Sequence, residues 1–134
     1  MKMRIYLTHC TGIKDNKLKE TGIEVTPDSL YTSVPIQRFI KKCMEQEATW
    51  AIFSDLYGVW FSNKKHKWYE KPPDDVTDKE FKDLLNNFDQ NLKKYNEIWF
   101  YNNPAWMHVR YKKLLKKSRL KGKIKTFSHL NEIV

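Results

Sequence analysis

Short runs of apolar and β-prone residues recur along the chain, and each is followed by a polar segment. They occupy residues 4–7, 50–53, 98–101 and 124–127. The clearest of them, Trp50-Ala51-Ile52-Phe53, is continuously apolar rather than alternating, as in strands that are covered on both faces. The pattern predicts four short strands, most of them buried.

Between the predicted strands, apolar residues repeat at helical spacing. Ser33 is placed to cap a helix that has Pro35 in its first turn and ends near Glu47. Thr77 and Glu80 have the spacing of a capping box, which opens a second helix. The apolar positions of these two helices are Ile36, Phe39, Ile40, Cys43 and Met44, and then Phe81, Leu84, Leu85, Phe88, Leu92 and Tyr95.

A third helix is predicted after the third strand, with Asn103 as its cap and Pro104 as its first residue. Its inward stripe is formed by Met107, Tyr111, Leu114 and Leu115, together with Ser118.

Residues 14–28 and 61–73 are predicted to be loops. Strands that alternate with helices predict an α/β fold, a three-layer α/β/α sandwich with a four-stranded, mainly parallel sheet. The length, 134 residues, fits a single domain over 1–134.

Several classes of protein are disfavoured by the composition. No apolar run approaches the roughly 20 residues that span a bilayer, and the first residues are too short a stretch for a secretory signal, so we expect a cytoplasmic protein without membrane contact. Two cysteines are too few for a disulfide framework, and the four histidines lack ligand spacing. The histidine spacing therefore predicts no metal, and without G-x-G-x-x-G or P-loop motifs the sequence predicts no cofactor.

The positive charge of the chain is concentrated in one segment. The formal net charge is +9, and residues 105–131 contain no acidic residue. The basic residues of this segment are Arg110, Lys112, Lys113, Lys116, Lys117, Arg119, Lys121, Lys123 and Lys125. Such a field attracts a polyanion, which predicts DNA or RNA as partner. The alternative is a solvated, lysine-rich helix face without a partner.

Polar residues follow three of the predicted strands. In open α/β sheets, ligands bind outside the carboxyl ends of the strands, so we expect these residues to border one site, with Lys14, Ser54, Asp55, Tyr57 and Asn102 around a common pocket. The alternative is that polar residues occur there because strands end in loops. The three clusters are Thr8, His9, Cys10, Thr11 and Lys14; Ser54, Asp55, Tyr57 and Gly58; and Tyr101, Asn102 and Asn103.

Within these clusters, Asp55 is the candidate general base and Asn102 or Asn103 the candidate reader of a base edge. Cys10 is interpreted as structural rather than nucleophilic, because His9 is adjacent on a strand and points to the opposite face. The loop 64–71 interleaves lysines with Trp68 and Tyr69, a pattern that suits single-stranded nucleic acid or an extruded nucleotide. Equally, Trp68 would pin this loop to the body of the protein.

Four short motifs in order resemble a small bacterial and archaeal family of largely unassigned function. They are Cys10-Thr11-Gly12-Ile13-Lys14, Leu30-Tyr31-Thr32-Ser33, Ile52-Phe53-Ser54-Asp55-Leu56-Tyr57-Gly58 and Tyr69-Glu70. The family is related to the YaaA peroxide-stress proteins and to a domain of archaeosine synthase. Parts of that group are similar to the uracil-DNA glycosylase fold, which the resemblance therefore implies; a flavodoxin-like sandwich is the alternative.

By the same resemblance, nine residues would line the site, with Glu70 as the family's acidic residue. They are Cys10, Thr11, Lys14, Tyr31, Ser33, Ser54, Tyr57, Gly58 and Tyr69. The chain departs from the family motif at Asp55, where alanine is usual, at Leu56, where lysine is usual, and at Trp68, where proline is usual.

Two functions from different classes follow. The first is an enzyme that acts on a nucleobase or its N-glycosidic bond, in nucleic acid or in a nucleotide. The second is a non-catalytic module that binds nucleic acid through the basic segment. A partner-binding accessory protein is a third possibility, and the oligomeric state stays open.

Overall fold

The computed structural model describes residues 3–102 and 107–134, and all structural statements refer to these. The strands are β1 (Arg4–His9), β2 (Glu24–Val25), β3 (Trp50–Ser54), β4 (Gly58–Phe61), β5 (His66–Lys67), β6 (Glu97–Tyr101) and β7 (Ile124–Phe127). The α-helices are α1 (Pro27–Leu30), α2 (Val34–Glu45), α3 (Asp78–Leu92) and α4 (Val109–Lys117). The protein is thus an α/β protein, as the pattern predicts.

The main sheet has the strand order β4-β3-β1-β6-β7. The central strand β1 is parallel to both β3 and β6, and β6 is parallel to β7. These parallel strands correspond to the four predicted runs. Their carboxyl ends lie at the same edge of the sheet, which is called the carboxyl edge below.

The predicted four-stranded sheet is wrong in its strand number, because the described residues form a fifth strand. β4 pairs antiparallel with β3 at the edge of the sheet. Val59, Trp60 and Phe61 favour a strand, but the run is short and follows directly on the turn after β3, so the pattern alone does not assign it. β4 begins at Gly58, which has a positive φ of 75°, and the Oδ1 of Asn87 accepts from the Val59 amide at 2.8 Å.

Alternating residues of the sheet pack into two hydrophobic clusters, one on each face. The cluster that includes Leu7, Phe53 and Phe100 is covered by α3 and α4. The cluster that includes Tyr6 and Ile52 is covered by α2 and by the last residues of the chain. Each central strand is therefore buried on both sides, which explains why its sequence does not alternate between apolar and polar residues.

The starts of helices α2 and α3 agree with the predicted caps, whereas the start of α4 differs. Ser33 is the cap residue of α2, and Thr77 and Glu80 make both hydrogen bonds of the predicted capping box. Helix α4 begins at Val109, where the His108 side chain accepts from the Arg110 amide. The predicted start at Asn103 and Pro104 lies outside the described residues, but Met107 and His108 precede the helix rather than belong to it.

Two segments that the sequence assigns to loops are joined in the structure. β2 and β5 form a small antiparallel sheet in which Glu24 pairs with Lys67 and Val25 with His66. This pairing connects the segment after β1 to the lysine-rich loop 64–71. Over residues 3–102 and 107–134, no helix is long and apolar enough to cross a membrane.

Candidate functional site

Asp55 lies at the centre of a buried hydrogen-bond network at the carboxyl edge. Its side chain follows β3, and the residue is only 5% exposed. Tyr111 of α4 donates its hydroxyl to Oδ2 of Asp55 at 2.8 Å, and the Cys10 thiol donates to the same oxygen at 3.3 Å. This network connects β3 and the end of β1 to the helix that carries the basic segment.

Burial controls the ionisation of this network. It raises the pKa of the Asp55 carboxyl, and the hydrogen bonds from Tyr111 and Cys10 only partly oppose that effect. It also raises the pKa of the Cys10 thiol to about 12, with a further contribution from the nearby Asp55 charge. A thiol with this pKa stays protonated at neutral pH, which favours a structural Cys10 over a nucleophile.

A second network extends over the opposite face of the sheet. Ser54 precedes Asp55 and points the other way, where its hydroxyl donates to Tyr69 at 3.0 Å. The Tyr69 hydroxyl is also hydrogen-bonded to that of Tyr31. The Ser54 oxygen accepts from the amides of Leu56 and Tyr57, so it holds the turn that leads into β4.

Lys14 is buried against aromatic rings in this second network. The residue is 7% exposed, and its Nζ lies 4.5 Å from the ring centroid of Tyr69, 5.9 Å from that of Trp68 and 6.0 Å from that of Tyr31. Lys19 lies over the same Trp68 ring at 5.2 Å. Trp68 packs against the body of the protein, as expected if it holds the loop in place. Its ring also contacts two lysines, as expected of a ring in a ligand site.

A small cavity opens between the ends of β1 and β6 and the first turn of α2. Its volume is about 150 Å³. His9 borders it, and the imidazole ring stacks on Tyr111 with a centroid distance of 4.7 Å. The other lining residues are Thr8, Thr11, Ile13, Ser33, Pro35, Ile36 and Tyr101.

The predicted site residues gather at the carboxyl edge but do not border one common pocket. Lys14, Ser54 and Tyr57 surround Tyr69 on the α2 face, with the Tyr57 ring 5.2 Å from that of Tyr69. Asp55 faces α4, and together with Tyr57 it borders a groove against α3. The physical reason is that Ser54 ends β3 and Asp55 is the first residue after it, so the two consecutive side chains point to different neighbours, with Cys10 between the two groups.

The remaining predicted residues have varied positions. Thr11 and Ser33 share a weak hydrogen bond of 3.5 Å beside the cavity. Glu70 is exposed, and Asn102 follows β6 with its amide bonded to the Phe127 carbonyl at 2.9 Å. Asn103 lies outside the described residues. No group of three or more His, Cys, Asp or Glu side chains is placed to hold a metal within the described ranges.

The basic segment presents most of its charges to solvent. Helix α4 buries Tyr111 and Leu114, as the stripe predicts, and exposes the four lysines that are called its basic face below: Lys112, Lys113, Lys116 and Lys117. Arg119 and Lys121 are also exposed, whereas Lys123 donates to two backbone carbonyls. Arg110 lies 3.9 Å from Asp78.

Two residues gain importance only in the structure. Tyr111 reads as a core residue in the sequence, yet its hydroxyl is the strongest donor to Asp55 and its ring supports His9. A tyrosine on the inward stripe of a helix next to strand ends is the signal that points to this role, since a buried phenol seeks a hydrogen-bond partner. His9 is the second: the sequence places it in the first polar cluster, and the structure adds its stacking on Tyr111 and its position beside the cavity.

Comparisons with family models, with curated proteins and with solved structures gave no match. The resemblance to the YaaA and archaeosine synthase group therefore stays a prediction.

Replacing Asp55 with Asn is expected to change how stability depends on pH. Because the pKa of Asp55 is raised in the folded state, its contribution to stability is fully present below the unfolded pKa of about 3.9 and is lost as pH rises through the folded pKa. The free energy of unfolding of the wild type should fall relative to Asp55→Asn over that interval, by about 1.4 kcal/mol for each unit of the shift. Denaturant titrations between pH 3 and 8 measure this difference, and a constant difference would contradict the burial argument.

Proposed function

We propose that this protein binds single-stranded DNA or RNA across the basic face of α4 and directs one nucleotide to the carboxyl edge of the sheet. The observation that carries the proposal is the position of Tyr111. It belongs to the basic helix, donates to Asp55 after β3 and supports His9 of β1. A strand bound on α4 would therefore pass next to the cavity and the buried network.

The charge pattern of α4 supports a polyanionic partner. All four lysines of the basic face are exposed, and within the described residues Lys112, Lys116 and Lys117 make no ion pair. Unpaired lysines along one helix face suit the repeating phosphates of a nucleic-acid backbone. The aromatic and lysine-rich loop 64–71 would offer stacking faces to the same strand.

The strand order supports a site at this edge. The parallel strands follow the order β3-β1-β6-β7, and the chain leaves β1 toward one side of the sheet and returns to β6 on the other. Ligands of doubly wound folds bind where the order reverses, here between β1 and β6. We therefore propose a three-layer sandwich of flavodoxin-like or uracil-DNA glycosylase-like type, consistent with the YaaA resemblance.

Binding of a single-stranded oligonucleotide is expected to weaken steeply with salt. With about four lysine–phosphate contacts, the association constant should fall about fiftyfold between 50 and 200 mM salt. Fluorescence anisotropy with a labelled oligonucleotide measures this slope. An association constant that stays flat over this range would rule out backbone binding by α4.

A reaction at the nucleobase or at its N-glycosidic bond is the second candidate. It is favoured by the raised pKa of Asp55, because perturbed carboxyls cluster at catalytic sites. The described hydrogen bonds engage only Oδ2 of Asp55, which leaves Oδ1 to orient a water or to stabilise a cationic sugar. Asn102 at the end of β6 would contact the base edge.

Chromatography of a nucleic acid incubated with the protein tests for a released or altered base. If this function is correct, Asp55→Asn should lose product formation by at least a hundredfold while its affinity for the oligonucleotide is retained. Binding without any product from the wild type would support the non-catalytic module instead.

A further inference from the structure

The ammonium group of Lys14 is buried without a counter-charge. The residue is 7% exposed, and its Nζ makes no hydrogen bond and no ion pair within the described residues. A lysine buried this deeply is almost always paired, because taking a charge out of water is costly. Its described contacts are instead with the rings of Tyr69, Trp68 and Tyr31, which attract a cation but carry no negative charge.

The backbone fixes the position of this side chain. Lys14 forms an antiparallel bridge with Tyr31, which joins the segments 13–15 and 30–32. Backbone hydrogen bonds of 3.3 Å and 2.9 Å connect the residues on either side of the bridge. Lys14 is therefore held at the carboxyl edge by both segments, and its ammonium is positioned before any ligand arrives.

The hydroxyls beside Lys14 have more hydrogens than acceptors. Ser54 donates to the Tyr69 hydroxyl, and the hydroxyls of Tyr69 and Tyr31 share one further hydrogen bond. Burial raises the pKa of both phenols, so both stay protonated. The three hydroxyl hydrogens therefore have only two oxygen contacts among the described hydrogen bonds. A cluster with surplus donors and an unpaired ammonium favours an anion.

The Lys14 ammonium is open to a ligand. The indole Nε1 of Trp68 also lacks an acceptor within the described part of the chain, but it has almost no accessible surface. Nζ of Lys14 has no partner either, and it is not closed off in this way. Because the rings leave only a small part of the ammonium exposed, the group that reaches it has to be narrow. A phosphate monoester is narrow, since it has a single ester link and free oxygens on its other side.

We propose that Nζ of Lys14 binds the terminal phosphate of a nucleotide, either free or at the end of a single strand. A phosphodiester within a strand would bring a second nucleotide against the rings. The inference deepens the proposed function and rests on it, because Trp68 and Tyr69 belong to the loop 64–71 that is proposed to stack on the strand. The basic face of α4 would then hold internal phosphates, and Lys14 would select the end of the strand.

The test compares internally labelled oligonucleotides that differ only in their ends. One carries a 5′-phosphate, one a 3′-phosphate, and the control has hydroxyls at both ends. We expect the full chain to bind one of the phosphorylated strands about tenfold more tightly than the control, as measured by fluorescence anisotropy. Calorimetry with thymidine 5′-monophosphate, thymidine and acetate tests the free nucleotide, and we expect only the monophosphate to bind.

Two variants assign the phosphate to its lysine. Lys14→Met removes the charge and keeps the length of the side chain, and we expect it to lose the preference for the phosphorylated end. It should unfold at the denaturant concentration of the wild type or above, because an unpaired buried charge is removed. Lys17→Met changes an exposed lysine of the same segment and should keep the preference. If Lys14→Met fails to fold, amine acylation of the wild type decides, because the monophosphate should protect Lys14 and not Lys17.

Equal affinities for phosphorylated and hydroxyl ends, or a preference that survives in folded Lys14→Met, would overturn the inference. So would acetate that binds as tightly as the monophosphate, since the ammonium would then not select phosphate. If the ends make no difference while binding still weakens with salt, the inference alone is wrong. If the monophosphate binds at Lys14 but oligonucleotides do not bind, the failure lies in the proposed function of the basic face.

Discussion

Reversing the four lysines of the basic face to Glu is expected to abolish binding of single-stranded nucleic acid. Each substitution removes a phosphate contact and adds a repulsive charge, so the affinity at 150 mM salt should fall about a thousandfold or more. The fold should persist, because these lysines are exposed and lie off the buried stripe of Tyr111 and Leu114. Anisotropy titrations measure the affinity, and circular dichroism checks the fold.

A matched variant separates the position of the charge from its amount. The basic-face variant lowers the formal net charge from +9 to +1, and the same change results from Glu at the exposed residues Lys17, Lys41, Lys82 and Lys94. Salt screens interactions beyond about 8 Å, so this scattered variant should lose less than about tenfold in affinity. Equal losses in both variants would refute a binding surface on α4.

Gly58→Ala is expected to destabilise the protein by about 2–4 kcal/mol. Gly58 begins β4 with a φ of 75°, a region that disfavours residues with a side chain. A Cβ at this position would lie 2.3 Å from Oδ1 of Asn87. Moving Asn87 aside would cost the hydrogen bond to the Val59 amide, so the backbone strain and the loss of this partly buried hydrogen bond would add. Denaturant unfolding measures the change.

Gly12→Ala is the matched control for this substitution. A Cβ at Gly12 meets no atom within 4 Å, so the free energy of unfolding should change by no more than about 1 kcal/mol. Gly58→Ala combined with Asn87→Ala should be less destabilised than the sum of the two single variants, because the clash is removed. Additive effects would show that Asn87 is not the obstacle.

The sequence predicts the edge of the sheet at which the candidate site lies, but it does not predict which side chains contact each other there. The parallel strands put the residues after β1, β3 and β6 at one edge, which follows from chain topology. The division between Ser54, which faces Tyr69, and Asp55, which faces Tyr111, depends on how the chain turns at the end of β3. The roles of His9 and Tyr111 depend on a stacking contact between residues far apart in the chain.

The sequence by itself determined the features that arise from local rules. Four strands, the capping box of Thr77 and Glu80, and the exposed lysines of α4 follow from spacing, propensity and charge within short segments. These features agree with the structure because neighbouring residues alone decide them.

Only the tertiary structure decided the features that join distant segments. Cys10 and Asp55 are 45 residues apart, Asp55 and Tyr111 are 56 apart, and Val59 and Asn87 are 28 apart. The pairing of β4, the small sheet of β2 and β5, the aromatic environment of Lys14 and the cavity beside His9 have the same origin. Such contacts form when the packed core brings segments together, and no local pattern encodes the partner across that separation.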